Sequence, residues 1–196
     1  MTITNLTLIG FSGTGKSAVG NIVARRLGWT FVDIDDEVVR LAGKPVATIF
    51  EEDGESRFRE LERKMIEQAC SGAQQVIATG GGALIDLLNQ EIILGSGMVV
   101  TLEASHETIA DRLAHATSDA IVEVRPLLRG DGVDVVERVR ALKKERQPLY
   151  ALGHWIVSTD NLSVDEVATE VLRGWSLSYP HAILPATSER RDESGS

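Results

Sequence analysis

The residues best equipped for chemistry stand near the start of the chain, where Gly10-Phe11-Ser12-Gly13-Thr14-Gly15-Lys16-Ser17 fits the pattern G-x-x-x-x-G-K-[ST]. Glycines there let successive backbone N–H groups turn inward around an anion, and a helix opening at Lys16 adds the positive end of its dipole. The amides of Gly13, Thr14, Gly15, Lys16, Ser17 and Ala18 would cradle the phosphates of a nucleoside triphosphate. Lys16 would span the β and γ phosphates, and the Ser17 hydroxyl would take a Mg²⁺ ion. Asp33 and Asp35 follow at the end of Thr30-Phe31-Val32. If the chain stays extended through them, both carboxylates point to one side, next to the loop. One would serve a metal shell and the other would accept the proton of an attacking alcohol. The competing use of such acids is to cap a following helix, through Asp35 or Asp36.

Gly80-Gly81-Gly82 comes directly after Val76-Ile77-Ala78-Thr79. Three consecutive glycines are costly to order, and they suit close approach of a ligand to backbone N–H groups. Arg125, in Arg125-Pro126-Leu127-Leu128, sits in a long stretch without an apolar face, where closure over nucleotide would bring a guanidinium to the transferring phosphoryl group. Arg59 taken singly reads as an exposed, salt-bridging arginine.

The elements that must position these groups alternate. Ile3 to Ile9 reads as a buried strand, Lys16 to Leu27 as a helix closed by Gly28, and Thr30 to Val32 as a second strand. From Asp53 to Cys70 the positions Phe58, Leu61, Met65 and Ala69 mark one helical face, with Arg57, Arg59, Glu60, Glu62 and Arg63 on the others. Val76–Thr79 and Met98–Leu102 read as strands inside a sheet, Ser105–His115 and Asp131–Tyr150 as helices, and residues 114–130 as a mobile loop. His154–Ser158 is a last strand, and Ser163 with Glu166 forms a capping box before a final helix. Residues 180–196 lose all apolar pattern and read as a disordered tail after a single domain over 1–179. Strands alternating with helices imply an α/β fold whose parallel sheet is covered on both faces, with ligands at the carboxyl ends of the strands. The three glycine and acidic segments should therefore meet at one edge.

The whole composition agrees. In 196 residues, 43% are hydrophobic and 25% charged, which excludes disordered, collagen-like and membrane-spanning classes. The net charge of −9 argues against duplex nucleic acid or an anionic membrane as partner. The lone Cys70 cannot form an intrachain disulfide, it reads as a helix-face residue, and no N-terminal signal is apparent, so a cytoplasmic setting is expected.

Read in order, GFSGTGKS, FVDIDD, DGESRFRELE, ATGGGA, VRPLL and ERQPLY make the chain resemble the shikimate kinases from about residue 3 to residue 175. The resemblance implies a three-layer sandwich of the nucleoside-monophosphate-kinase type, with a five-stranded parallel sheet and a lid. It implies ATP-dependent phosphorylation of the 3-hydroxyl of shikimate, on the way to chorismate and the aromatic amino acids, by an enzyme expected to be a monomer. Lys16 and the loop amides would hold ATP, Ser17 would ligate Mg²⁺, and Asp33 would reach the metal through water. Asp35 would bind shikimate hydroxyls and act as base. Arg59 and Arg146 would pair with the shikimate carboxylate, and Gly80, Gly81 and Gly82 would add backbone contacts. Arg125 would be the lid arginine, and Arg112 would stack on adenine. Two departures stand out: Leu113–Val124 is longer than the usual lid segment, and Ser158-Thr159-Asp160-Asn161 lacks the basic residue common in the adenine loop. Other readings are a gluconate or nucleotide kinase of the same fold, disfavoured by the acceptor motifs, and a nucleotide-binding switch, disfavoured because no N-K-x-D motif occurs.

Overall fold

The computed structural model describes residues 5–115 and 135–180. Arg125, the expected loop from residue 116 onward and the tail from residue 181 lie outside the described residues. Ala114 and His115, read both as the end of the Ser105–His115 helix and as the start of that loop, belong to the helix.

Five strands form one parallel sheet in the order β2-β3-β1-β4-β5: β1 (Asn5–Ile9), β2 (Thr30–Asp33), β3 (Gln75–Ala78), β4 (Gly97–Glu103) and β5 (Trp155–Ser158). Parallel pairing demands crossovers, and helices on both faces supply them. Period-two alternation sorts the strand side chains between two cores. Leu6, Leu8, Val76, Met98, Val100 and Leu102 pack against α1 (Lys16–Leu27) and the last helix, through Val19, Val23, Val167 and Val171. Ile9, Ile77 and Val99 face the other way, onto α2 (Ile34–Ala42), α3 (Val46–Glu52), α4 (Gly54–Ser71) and α5 (Leu87–Ser96). Because both faces are covered, β1 is buried along its whole length, which explains its apolar run.

The remaining helices are α6 (His106–His115), α7 (Val135–Tyr150) and α8 (Val164–Ser178). The capping box of Ser163 and Glu166 opens α8 as expected, and Gly28 closes α1 in the left-handed conformation. Three helices have no counterpart in the sequence reading. In α2 the helix begins immediately after the strand, because the Asp33 carboxylate accepts the Asp35 amide. α3 is short and enters through Pro45, while α5 is apolar on most sides, so neither shows a clear stripe. No helix among the described residues is long and apolar enough to cross a membrane.

This strand order decides the site. β3 lies between β1 and β2, so the turns that leave the carboxyl ends of β1, β3 and β2 are side by side.

Candidate active site

The loop after β1 is held open by its own backbone. Gly15, the residue before α1, has φ 93°, a conformation that a residue with a Cβ adopts only at a cost, and it aims the first turn of α1 into the loop. The Thr14 hydroxyl donates to the Phe11 carbonyl at 2.8 Å, tightening the turn. The buried Lys16 ammonium donates to the carbonyls of Gly10 at 2.8 Å and Phe11 at 2.9 Å. It therefore lies folded across the mouth of the loop, where a bound phosphate would be its stronger acceptor.

Gly13, Gly15, Lys16, Ser17 and Ala18 line one open cleft with Asp33, Asp35, Thr79 and Gly81. The convergence expected from the sequence is therefore present, but the geometry of the acidic pair differs. Asp33 ends β2, whereas Asp35 already lies in the first turn of α2, so the two do not share a face by strand alternation. The cap is Asp33 rather than Asp35 or Asp36, because Asp33 is the last extended residue and its Oδ1 reaches the Asp35 amide at 3.0 Å. Its other oxygen accepts the Ser17 hydroxyl at 2.5 Å. That single carboxylate both starts a helix and reaches the loop. Burial, then Asp33 and Glu37, pushes the Asp36 carboxyl above its ordinary range.

Ser17 Oγ and Asp33 Oδ2 form a hard oxygen pair at the cleft. No group of three or more His, Cys, Asp or Glu among the described residues is set to hold a metal alone. A fitting ion would thus be one that keeps its waters and takes phosphate oxygens, which is how Mg²⁺ binds.

In the turn after β3, Gly80 and Gly81 lie tight against neighbouring side chains. A Cβ on Gly80 would stand 2.8 Å from Glu62 Oε1 and 3.0 Å from Asp35 Oδ1, and one on Gly81 would stand 2.7 Å from Ser12 Oγ. The turn therefore brings Asp35, Glu62 and the phosphate loop to one spot. Gly82 leads into a single 3₁₀ turn, Ala83–Ile85. Arg59 donates to Glu62 at 2.8 Å and to Glu55 at 3.3 Å. Glu62 is wholly buried, so it needs this cationic partner, and the placement of Glu62 on a polar face is corrected. Positions 58, 61, 62, 65 and 69 follow core spacing, and that spacing was the available signal. Arg59 lies against a neighbouring cleft with Glu55, Ser56 and Arg63 rather than in the loop cleft itself.

Arg146 arrives from α7. It is 9% exposed, its guanidinium sits 5.8 Å from the Phe11 ring centre, and Nη1 has no hydrogen-bond partner among the described residues. A buried guanidinium with an unsatisfied donor is poised for an anion. Arg112, on α6, donates to the Gly13 carbonyl at 3.3 Å and to Thr159 Oγ1 and O at 2.9 and 2.8 Å. It bridges the phosphate loop to the segment after β5. Burial raises the Asp160 carboxyl there, but hydrogen bonds from the Ser105 amide and the Thr108 and Ser105 hydroxyls, with Arg112 nearby, outweigh it and hold it below the ordinary range. Cys70 lies on α4, remote from these groups in the fold, and its burial pushes the thiol up, away from reactive thiolate character.

Comparison with known proteins extends this picture. A model of the shikimate kinase family matches residues 12–175. A shikimate kinase of Thermodesulfovibrio yellowstonii is 38% identical over 169 residues, covering 86% of this chain and 93% of the relative. One of Symbiobacterium thermophilum is 42% identical over 169 residues, with 86% and 94% covered. Among solved structures, the shikimate kinase of Acinetobacter baumannii in complex with shikimate matches with a TM-score of 0.80 at 33% identity, over 90% of this chain and 94% of that one.

Proposed function

The chain belongs to the shikimate kinase family, whose members use ATP, and from that membership we propose that its cleft transfers the γ-phosphoryl group of ATP to the 3-hydroxyl of shikimate. The observation that carries this reading is the meeting of Asp35, Glu62 and the phosphate loop around Gly80 and Gly81. A proton acceptor thereby stands beside the place where the γ-phosphate would lie.

The loop amides from Gly13 to Ala18 and the Lys16 ammonium bind the phosphates, and Lys16 moves from its loop carbonyls onto the developing negative charge. Asp35 accepts the proton of the attacking hydroxyl. Ser17 and Asp33 are the residues that would hold Mg²⁺, which when bound neutralises charge on the β and γ oxygens. Arg146 and Arg59 grip the substrate carboxylate from two sides, Glu62 keeping Arg59 in place and Phe11 backing Arg146. Gly80, Gly81 and Gly82 present backbone to the bound ring, and at Gly80 and Gly81 a larger residue would have to displace Glu62, Asp35 or Ser12. Arg112 flanks the adenine. Arg125 would add charge over the phosphates from the segment between α6 and α7.

Gluconate and nucleoside monophosphates are the acceptors that would compete, and family membership disfavours both. Coupled measurement of ADP release with each candidate decides the matter. Turnover should appear with shikimate alone, and equal or greater turnover with another acceptor would overturn the assignment.

A further inference from the structure

Gly81 is held from two sides, and the second side belongs to a residue outside the roles above. Tyr150, the last residue of α7, is 2% exposed, and its hydroxyl donates to the Gly81 carbonyl at 2.8 Å. Behind it, the Tyr150 carbonyl accepts the Thr101 hydroxyl at 2.6 Å, which ties the helix end to β4. In front, Gly81 rests against Ser12, where even a Cβ would come within 2.7 Å of Oγ and 3.0 Å of the amide nitrogen. The central glycine of the turn is therefore clamped between the phosphate loop and α7.

We propose that Tyr150 is a positioning residue for the acceptor site, its hydroxyl selecting the orientation of the peptide unit between Gly81 and Gly82. Glycine has the broadest choice of backbone conformation, and three in a row have no side chains with which to fix their peptide planes. In a planar trans peptide the carbonyl of one residue and the N–H of the next point in opposite directions. Holding the Gly81 carbonyl toward α7 thus turns the Gly82 N–H away from it. Arg146 lies four residues earlier on the same helix and so on the same face, where it meets Phe11 of the phosphate loop. One helix end sets both a charged contact and a backbone contact of the acceptor site, and keeps the two in register. The aromatic ring alone would fill the space; the hydroxyl supplies the direction.

This rests on the reading that Gly80–Gly82 contact the acceptor, so the test has one arm that needs no substrate. Tyr150→Phe keeps the ring and removes a single oxygen. Its KM for shikimate should rise by about tenfold, the size expected for one misdirected hydrogen-bond donor, while the KM for ATP changes less than twofold. In the free enzyme labelled with ¹⁵N-glycine, the amide signals of Gly81 and Gly82 should shift or broaden as the turn samples other peptide orientations. Unchanged glycine signals overturn the proposal whatever the substrate proves to be. Altered glycine signals with equal changes in both KM values show a packing residue only, and also overturn it. Altered signals in an enzyme whose wild type does not phosphorylate shikimate would uphold the clamp while removing the acceptor assignment. Should the variant prove too unstable at 25 °C, the same measurements at 10 °C decide in the same way.

Discussion

On the proposed phosphate side of the cleft, the residues from Gly13 to Ala18 are consecutive at the mouth of one helix, whereas the proposed acceptor side draws Asp35, Arg59, Glu62, Gly81, Arg146 and Tyr150 from α2, α4, the turn after β3, and α7. The first region depends mainly on backbone amides, whose directions follow from a local run of dihedral angles. The second depends on groups that approach the turn after β3 only when four elements are packed. Damage to the phosphate side should therefore be severe and confined to one or two residues. Damage to the acceptor side should be graded and spread over many.

The strongest test of that contrast is Lys16→Ala. Losing the one ammonium at the loop should lower turnover by about a thousandfold, with thermal unfolding little changed. Retention of more than a tenth of wild-type kcat in a folded variant would remove Lys16 from the chemistry. Asp35→Asn keeps the shape at Gly80 and deletes the proton acceptor, so kcat with shikimate should fall by roughly a hundredfold or more. Its ATP affinity, read by titration, should stay within a few-fold; a collapse there would mean that Asp35 belongs to the phosphate side.

Graded loss is expected of the arginines. Arg146→Lys and Arg59→Lys each keep a charge and lose the planar fork, so the KM for shikimate should rise by about ten- to a hundredfold, and that for ATP should hold. Equal losses for both substrates would erase the distinction between the two regions. The smallest effect is predicted at Arg112, proposed for the nucleotide side because it binds Gly13 and Thr159. Arg112→Ala should raise the KM for ATP by roughly three- to tenfold and leave that for shikimate unmoved. A change in shikimate binding alone would place the residue in the wrong region.

The amino-acid sequence determined the phosphate loop, the five strands, the capping box of α8 and the neighbourhood of three strand ends, because each follows from a pattern a few residues long. Hydrophobic period, glycine spacing and a cap are local physics. Asp33 shows where locality stops: the two-residue spacing of Asp33 and Asp35 suggests strand alternation, yet the chain turns helical at Ile34, directly after Asp33, whose side chain captures the Asp35 amide. Glu62 and Tyr150 show why the rest depended on the tertiary structure. A carboxylate at a core position is stable only where an arginine and a glycine turn close over it, and a tyrosine hydroxyl has no direction until a carbonyl sixty-nine residues away is placed before it. Those partners are brought together by the crossover order of the sheet, which packing of both cores selects as a whole and no short segment encodes.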